Sequence, residues 1–390
     1  MARIWNKHKQ TNTPLKRKVI VGLSGGVDSA VAALFLKMQG FAVRAVFMLN
    51  WSESASGCHW EWDYESAKMA ARHLDIPLEL WNFEAVYRTE VYEPFIASLA
   101  RGETPNPDVI CNRHVKFGAF LEKARSEGAD WVATGHYAQI DACARDVRTQ
   151  VHATDVKLLS GVDATKDQSY FLATLGQDQL SSILFPLGGI TKKEVRRIAH
   201  AHRLPNAGRK DSYGICFIGE QPMKEFLRTR VPYAKGPMVT VEGAQAGEHE
   251  GLPFYTIGQR KGIGIGGRGP FYAVEKRVAE NTLIVAQGND HPALFTNTAA
   301  VVEMHWIRGE PSLPLYGRVR HRHLQPLQDA VIQRQEGTYV ILFSVPQRAV
   351  TPGQFLAVYQ EEECLGGGVI ASANPKSEAL HKHQFQNPNT

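Results

Sequence analysis

Two adjacent glycines between serines form the stretch with the clearest chemical potential. Residues 22–29 read GLSGGVDS and directly follow the apolar KVIV. A glycine-rich turn between a strand and a helix lets the backbone approach an anion, and the helix adds free N–H groups. The lysine of the commonest phosphate loop, G-x-x-x-x-G-K-[ST], is missing, because Lys37 lies two helical turns further on. An ordinary tight turn is the alternative, but the serines and Asp28 favour nucleotide binding.

Two of the five cysteines lie in segments that favour thiol chemistry. We expect Cys111 in a proline- and asparagine-rich loop that leads into a helix, within TPNPDVICNRHVKF and three residues after Asp108. Cys216 is in RKDSYGICFIGE. Nearby positive charge and a helix N-terminus both lower the pKa of a thiol, and the thiolate is the nucleophile. A cysteine can equally be a small buried apolar residue. We expect that role for the other three cysteines, which are Cys58, Cys143 and Cys364.

Composition narrows the class of protein. A chain of 390 residues with 43% hydrophobic and 21% charged residues is typical of a globular protein of two or three domains. The net charge of +5 permits a polyanionic partner without requiring one. No apolar run approaches the roughly 18 residues of a membrane helix. The cysteines form no C-x-x-C pair, which disfavours zinc and favours a reducing cytoplasm.

Alternating strand and helix patterns, from Lys18 to about residue 205, would position these groups. KVIVGL, AVRAVFML, LELWNF and WVATGH predict strands, and DSAVAALFLKMQG and HVKFGAFLEKARSEG predict helices between them. Such alternation predicts an α/β fold with a doubly wound parallel sheet. Ligands of these sheets bind beyond the carboxyl ends of the strands, where SGGVDS and TGH both lie.

After about residue 208, glycine and proline become frequent and only short strands are predicted. These are PMVTVEG, PFYTIG, FYAVEK and NTLIVAQ, with a C-terminal antiparallel β-barrel or sandwich from about residue 280. The expected divisions are a basic N-terminal tail (1–17), a catalytic domain (18–208), a small mixed central domain (209–279), a C-terminal β-barrel (280–372) and a flexible tail (373–390).

A basic segment in the C-terminal part indicates a possible RNA contact. In GRVRHRH, strand alternation would place Arg318, Arg320 and Arg322 on one face, with His321 and His323 on the other. A merely solvated basic strand is an equally good interpretation of this pattern.

Resemblance to known families extends these inferences. The segment at 22–29 resembles the pyrophosphate loop of the ATP pyrophosphatase superfamily, whose nucleotide domain is of the adenine nucleotide alpha hydrolase type. Segments that are collinear from about residue 18 to 370 together resemble the tRNA-specific 2-thiouridylase family. They include GLSGGVDSAVAALFL, FMLNW, TPNPDVICNRHVKF, ATGHYA, KDQSYFL, FPLGG, GICFIGE, YTIGQRKGIGIGG, HPAL and TPGQFLAVY.

The resemblance implies a transferase that inserts sulfur at C2 of the wobble uridine of the tRNAs for lysine, glutamate and glutamine. ATP with Mg²⁺ would adenylate the uracil O2. A persulfide on Cys216, received from a sulfur-relay donor protein, would then attack C2. Cys111 would be the second catalytic thiol, forming a transient disulfide with Cys216, and Asp108 the general acid/base. The implied enzyme is a cytoplasmic monomer without iron–sulfur cluster, zinc or membrane contact.

The same resemblance assigns binding residues. The implied ATP site comprises Gly22, Leu23, Ser24, Gly25, Gly26, Val27, Asp28, Ser29, Met48 and Gly135. The flipped target base would meet Asn106, Pro107 and Asp108. The implied tRNA contacts are His136, Lys166, Asp167, Gln168, Arg322, His323 and Gln354. Without the resemblance, KDQ would be interpreted as a helix start with an Asp cap.

Two residues depart from the family pattern. Leu49 stands where the family commonly has lysine, and Glu103 where arginine is common. Contacts made there by relatives would be lost or made elsewhere.

Three other interpretations remain. A small-molecule amide synthetase of the same superfamily would not need two reactive cysteines. A tRNA thiolase with an iron–sulfur cluster would need cysteine pairs. A tRNA-binding protein with a vestigial ATP site would not need the intact SGGVDS.

Overall fold

The computed structural model describes residues 17–52, 60–142, 155–210, 218, 222–266 and 269–373. The described residues form a five-stranded parallel sheet, a four-stranded mixed sheet and an eight-stranded antiparallel sheet. Within these ranges, no helix has both the length and the apolar character needed to cross a membrane. Cys58, Cys143 and Cys216 lie outside the described residues, as do the expected tails apart from Arg17 and Ala373.

Seventeen strands lie in the described ranges. The first nine are β1 (Lys18–Gly22), β2 (Ala42–Leu49), β3 (Leu78–Asn82), β4 (Trp131–Ala133), β5 (Ala138–Ala142), β6 (Val156–Ser160), β7 (Ile183–Leu184), β8 (Gly236–Thr240) and β9 (Gln245–His249). The other eight are β10 (Phe271–Arg277), β11 (Thr282–Gln287), β12 (Phe295–Trp306), β13 (Leu315–Arg320), β14 (Gln328–Gln335), β15 (Thr338–Arg348), β16 (Phe355–Gln360) and β17 (Glu363–Ser372).

Nine α-helices accompany these strands in the same ranges. They are α1 (Val27–Met38), α2 (Trp60–Leu74), α3 (Glu84–Tyr87), α4 (Glu93–Ala100), α5 (Pro107–Cys111), α6 (Phe120–Ser126), α7 (Gln177–Leu180), α8 (Lys192–Ala201) and α9 (Met223–Arg228). Wider π-helical turns, Arg88–Tyr92 and Asn112–Ala119, join α3 to α4 and α5 to α6.

The parallel sheet has the order β3-β2-β1-β4-β7, and helices cover both faces. Val19 and Val21 of β1 pack into a core with α1, α2 and α8, whereas Ile20 packs into a second core with α4 and α6. Side chains of a strand alternate between its two faces, so a strand buried on both sides reads as a continuous apolar run. This confirms the predicted doubly wound sheet. Gly40, with φ +87°, ends the first helix as predicted.

The central sheet has the order β10-β11-β8-β9. The prediction of a strand at PFYTIG was wrong, since Leu252–Phe254 is a 3₁₀ turn. Pro253 cannot donate to a strand ladder, and the flanking Gly251 and Gly258 both have positive φ. β9 was not predicted. β11, although it follows the expected boundary at residue 280, pairs with β10 and β8 of this sheet.

The C-terminal β-barrel closes through six strands in the order β12-β15-β14-β13-β16-β17, because β12 also pairs with β17. This confirms the antiparallel barrel. The β5–β6 hairpin follows β4 in the chain but joins the barrel, with Leu158 opposite Cys364. The hairpin was not predicted from the sequence. The β5–β6 hairpin connects the parallel sheet directly to the barrel sheet. Residues of the two sheets can therefore lie close together.

Candidate active site

A glycine turn at the end of β1 leads into α1 and forms a concave backbone surface. Gly26 is the N-cap of α1 and makes no side-chain capping hydrogen bond. The first N–H groups of the helix therefore keep the capacity to bind an anion, assisted by the helix dipole. Gly25 has φ +81°, and a Cβ there would lie 2.2 Å from the backbone oxygen of Asp63. The turn thus depends on glycine at this position.

The predicted ATP residues come together at the switch point of the sheet. The chain proceeds from β1 to β2 and β3 on one side, then returns to β4 on the other, so the crevice lies between β1 and β4. Gly135, just after β4, packs so closely that a Cβ would lie 2.8 Å from the backbone nitrogen of Ser29. The Met48 side chain would lie 3.2 Å from a Cβ at Gly22.

The structure adds a lysine that was missed in the sequence. Lys192, the first residue of α8, donates to the two carboxylate oxygens of Asp28 at 2.7 and 2.8 Å. The Tyr137 hydroxyl donates to the same carboxylate at 2.7 Å. Asp28 is thereby fixed in the first turn of α1. Only the Thr191 cap marks this helix start in the sequence, and it gives no sign of a contact 164 residues away.

A second missed group holds the outer side of the glycine turn. Asn206 donates to the backbone oxygens of Gly25 and Gly26 at 2.9 and 3.1 Å. Arg209 forms an ion pair with Asp63 and also contacts the oxygen of Gly25. The position of Cys216 itself is outside the described residues.

Cys111 lies inside a helix rather than in the expected loop. Asn106 caps α5 by accepting a hydrogen bond from the backbone N–H of Asp108 at 3.2 Å, and Pro107 occupies the first turn. The helix therefore starts before Cys111, which is its last residue and only 4% exposed. Cys111 lies in the second turn of a helix that continues through Asn112–Ala119 into α6, so it is already past the first turn, where a helix N-terminus acts most strongly.

Asp108 is the acidic group nearest to this thiol in the chain, and its surroundings favour the neutral acid. Burial raises the pKa of Asp108 above its ordinary value, and the charges of Lys116 and His323 only partly oppose this rise. His323 comes from the turn after β13 of the barrel, so the two sheets meet at this carboxyl group. A carboxyl group with a raised pKa is suited to proton transfer.

The base-contact candidates are connected to the barrel. The Tyr170 hydroxyl donates to the backbone oxygen of Phe355 at 3.0 Å and accepts a hydrogen bond from the Asn106 side chain. The imidazole of His323 packs on the ring of Phe171 with a centroid distance of 4.3 Å. Asn106, Asp108 and His323 therefore share one region.

Three predicted tRNA contacts have structural partners in the described chain. His136 is buried between the rings of Phe117 and Phe185, and burial holds its pKa well below the ordinary value. Asp167 is 2% exposed and forms a buried ion pair with Arg320 at 2.9 Å. Gln168 accepts a hydrogen bond from the backbone N–H of Tyr137 at 2.9 Å, and Lys166 is partly exposed nearby.

The expected basic strand face is wrong. β13 ends at Arg320, so Arg322 and His323 lie in the following turn, and Arg320 is buried against Asp167. Arg322 donates to the backbone oxygens of Ile257 and Ala349 at 3.1 and 2.9 Å. The expectation failed because all three arginines have partners inside the protein, Arg318 donating to the backbone oxygen of Glu361.

Gln354 and Glu103 lie at the contact between the barrel and the site loop. Gln354 donates to the backbone oxygen of Thr104 at 2.7 Å. Glu103, one of the two departures, pairs with Arg101 at 2.8 Å. Leu49, the other departure, is 7% exposed at the end of β2. Hence Leu49 contributes to the core, and Glu103 neutralises a neighbouring arginine.

The fold and site define a class: an α/β protein with a glycine-rich anion loop at its switch point, joined to a mixed sheet and a β-barrel. Three family models match in the same order. They are described as tRNA methyl transferase HUP domain (17–220), tRNA methyl transferase PRC-barrel domain (224–287) and aminomethyltransferase beta-barrel domain (296–370).

Curated relatives match nearly the whole chain. The tRNA-specific 2-thiouridylase MnmA of Nitrosomonas eutropha is 46% identical over 368 residues, covering 92% of this chain and 99% of the relative. The namesake from Shouchella clausii is 46% identical over 358 residues, covering 90% and 96%. The chain therefore belongs to the tRNA-specific 2-thiouridylase family. A U34-tRNA thiolase NcsA structure from Methanococcus maripaludis matches at 17% identity and a TM-score of 0.32, covering 55% of this chain and 65% of that one.

Proposed function

We propose that this protein uses ATP to replace the C2 oxygen of the wobble uridine with sulfur in the tRNAs for lysine, glutamate and glutamine. The observation that carries the proposal is a glycine turn at the switch point, within one fold that also holds Asp108 and Cys111. Family membership, at 46% identity over 92% of the chain, favours thiolation over amide synthesis. The reaction takes place in the cytoplasm, where the tRNA substrate lies, and the enzyme acts as a monomer.

The ATP half of the reaction uses the turn at 22–29. The N–H groups at the start of α1 would bind phosphate oxygens, with Lys192 held by Asp28 beside them. The uracil O2 attacks the α-phosphorus, and pyrophosphate leaves. Mg²⁺ would come with ATP, since the described residues contain no group of three or more metal-ligating side chains. Adenylation turns the oxygen at C2 into part of a good leaving group, AMP.

The sulfur half uses the two thiols. A donor protein leaves a persulfide on Cys216, whose terminal sulfur attacks C2 and displaces AMP. The thiolate of Cys111 then attacks Sγ of Cys216, breaks the S–S bond and releases 2-thiouridine. The product is a Cys111–Cys216 disulfide, which a thiol reductant must open before the next turnover. Alternatively, Cys111 releases sulfide from the persulfide before the attack on C2. Either order needs neither an iron–sulfur cluster nor zinc.

The family contacts remain proposals at the residue level. Asn106, Pro107 and Asp108 would meet the flipped base, since a base cannot react while it is stacked. The other proposed tRNA contacts are His136, Lys166, Asp167, Gln168, Arg322, His323 and Gln354. Their hydrogen bonds within the protein suggest that several of them shape the tRNA surface instead of touching it.

The test is a combined assay for AMP and for 2-thiouridine in digested tRNA. The purified protein would be incubated with ATP, Mg²⁺, unmodified tRNA and a persulfide donor. We expect both products from the unaltered protein, and no 2-thiouridine from Cys111→Ser or Cys216→Ser. Cys364→Ser is the matched control, because Cys364 is buried where β17 of the barrel pairs with β6.

Two results would contradict the proposal. If AMP formed in the absence of tRNA and no thionucleoside appeared, the ATP reaction would have an acceptor other than tRNA uridine. Full 2-thiouridine formation by either cysteine variant would remove that thiol from the mechanism.

A further inference from the structure

A cavity of about 480 Å³ lies between the loop after α4, the central sheet and the barrel, outside the ATP and thiol sites. Its walls come from residues 101–104, from β10 of the central sheet, and from the barrel segments 293–296 and 349–352. Most of the lining is apolar and includes Val274, Val278 and Leu294. This volume and lining are typical of pockets for small organic ligands.

Lys276 of β10 provides the cavity with a cation that lacks a carboxylate partner in the described chain. Its Nζ atom lies 3.5 Å from the Thr104 hydroxyl, and none of the described acidic groups lies within ion-pair distance. Burial lowers the pKa of Lys276 to about 8. A partly buried ammonium group without a counterion is costly, so an anion that enters the cavity gains a charge partner.

The other charged groups of the cavity determine how much negative charge it can accept. Arg101 is paired with Glu103 at 2.8 Å, and Glu275 is paired with Arg277 at 3.3 Å. The barrel side contributes no charged residue among the described lining residues. One negative charge on a ligand would therefore balance Lys276. A dianion would leave a second negative charge close to Glu103 and Glu275.

We propose that this cavity binds a small organic monocarboxylate, with its carboxylate at Lys276 and its apolar body against Val274 and Leu294. This site is separate from the proposed ATP, tRNA and thiol positions. A bound ligand would stabilise the contact of the loop after α4 with the central sheet and the barrel, because it would touch all three.

The cavity is connected to the loop that leads into α5. A Cβ at Gly102 would lie 2.4 Å from Val278, so this loop packs tightly on β10. The backbone N–H of Thr104 donates to the oxygen of Pro352 at 2.9 Å, which holds the loop on the barrel. Asn106, the cap of α5, follows two residues later. A ligand in the cavity would therefore restrict the motion of the loop that leads to Asn106 and the proposed base site.

The experiment is calorimetric titration of the full-length protein with hexanoate and benzoate. Hexanamide serves as the neutral counterpart, and inorganic phosphate as the test of a different anion. We expect saturable one-site binding of a carboxylate and none of hexanamide. Lys276→Met should weaken carboxylate binding at least tenfold, whereas Lys235→Met, which removes an exposed lysine of the same sheet, should leave it unchanged.

A second variant separates cavity filling from loss of folding. Val274→Phe keeps the lysine but reduces the space for the apolar body, so benzoate binding should weaken while thermal unfolding stays cooperative. Carboxylate binding should also weaken as the pH rises through about 8, because Lys276 loses its proton. The proposal is overturned if neither carboxylate binds, if Lys276→Met binds as well as the unaltered protein, or if phosphate binds more tightly than both carboxylates.

Discussion

Asp28 connects the glycine turn to two residues that are distant in sequence. Its carboxylate receives hydrogen bonds from Lys192 and Tyr137, and all three side chains lie at the carboxyl edge of the parallel sheet. A lysine fixed at the start of α8, beside the helix N-terminus that we propose binds phosphate, would stabilise negative charge that develops as pyrophosphate leaves.

We therefore expect Lys192→Met to reduce AMP formation about 100-fold, the magnitude typical for loss of one charge-stabilising donor. Lys193→Met is the matched control, since Lys193 is the next residue and is exposed. Initial rates of AMP release at saturating tRNA provide the measurement. Equal rates for the two variants would show that Lys192 has no part in the ATP step.

We predict that Asp108 acts as a general acid. Because its pKa is raised, a larger fraction of its carboxyl groups is protonated at a given pH than for an ordinary aspartate. Because a general acid must carry its proton, the thiolation rate should fall as the pH rises through the pKa of this group. Asp108→Asn should lower the rate about 100-fold or more and remove that pH dependence. Single-turnover rates between pH 5 and 8 would test this, and an unchanged pH profile in the variant would exclude the role.

At the scale of elements, the β1–α1 turn is determined by local sequence, which explains why it was predicted correctly. Glycines, a buried strand and a helix start are all encoded within a dozen residues. Lys192, Asn206 and Arg209 were missed, because each reaches the turn through tertiary packing across more than 140 residues.

The same distinction explains why the expected basic face of β13 is wrong. GRVRHRH has the alternation of an exposed strand, but Arg320 is paired with Asp167, a residue 153 positions earlier. Nothing in the local pattern encodes such a partner. The error at Cys111 is of a different kind, because the helix start at Asn106 and Pro107 is encoded locally but was interpreted as a loop.

The turn gives a prediction at the scale of an element. Gly25→Ala places a Cβ 2.2 Å from the backbone oxygen of Asp63 at φ +81°, so the turn must move away from the phosphate-binding geometry. We expect at least a tenfold weaker ATP affinity by equilibrium binding. Gly189→Ala is the control, because a Cβ there has no neighbour within 4 Å among the described residues. ATP affinities that match in both variants would contradict the assigned turn.

At the scale of the molecule, buried histidines make stability depend on pH. His321 is 1% exposed, and burial lowers its pKa to about 4 from 6.5. In this pH range His321 binds a proton in the unfolded chain but stays neutral in the folded chain. The free energy of unfolding therefore falls as the pH decreases from about 6.5 to about 4. This group contributes a loss of up to about 3 kcal/mol. Burial lowers the pKa of His136, His305 and His323 as well.

We expect His321→Gln to reduce the difference in unfolding free energy between pH 7 and pH 4.5. Urea unfolding at the two pH values, with exposed His200→Gln as the control, provides the comparison. If the two variants lose stability equally on acidification, His321 is not a source of the pH dependence.

In the proposed reaction the three sheets act as one unit: the parallel sheet would bind ATP, α5 would supply Asp108 and Cys111, and the barrel would close the base site. ATP would activate the uracil oxygen before sulfur arrives. The most direct test uses tRNA labelled with ¹⁸O at C2 of the wobble uridine, followed by mass spectrometry of the AMP. We predict one ¹⁸O atom per AMP, in equal number to the 2-thiouridine formed. Unlabelled AMP, alongside normal 2-thiouridine formation, would contradict adenylation of the uracil oxygen.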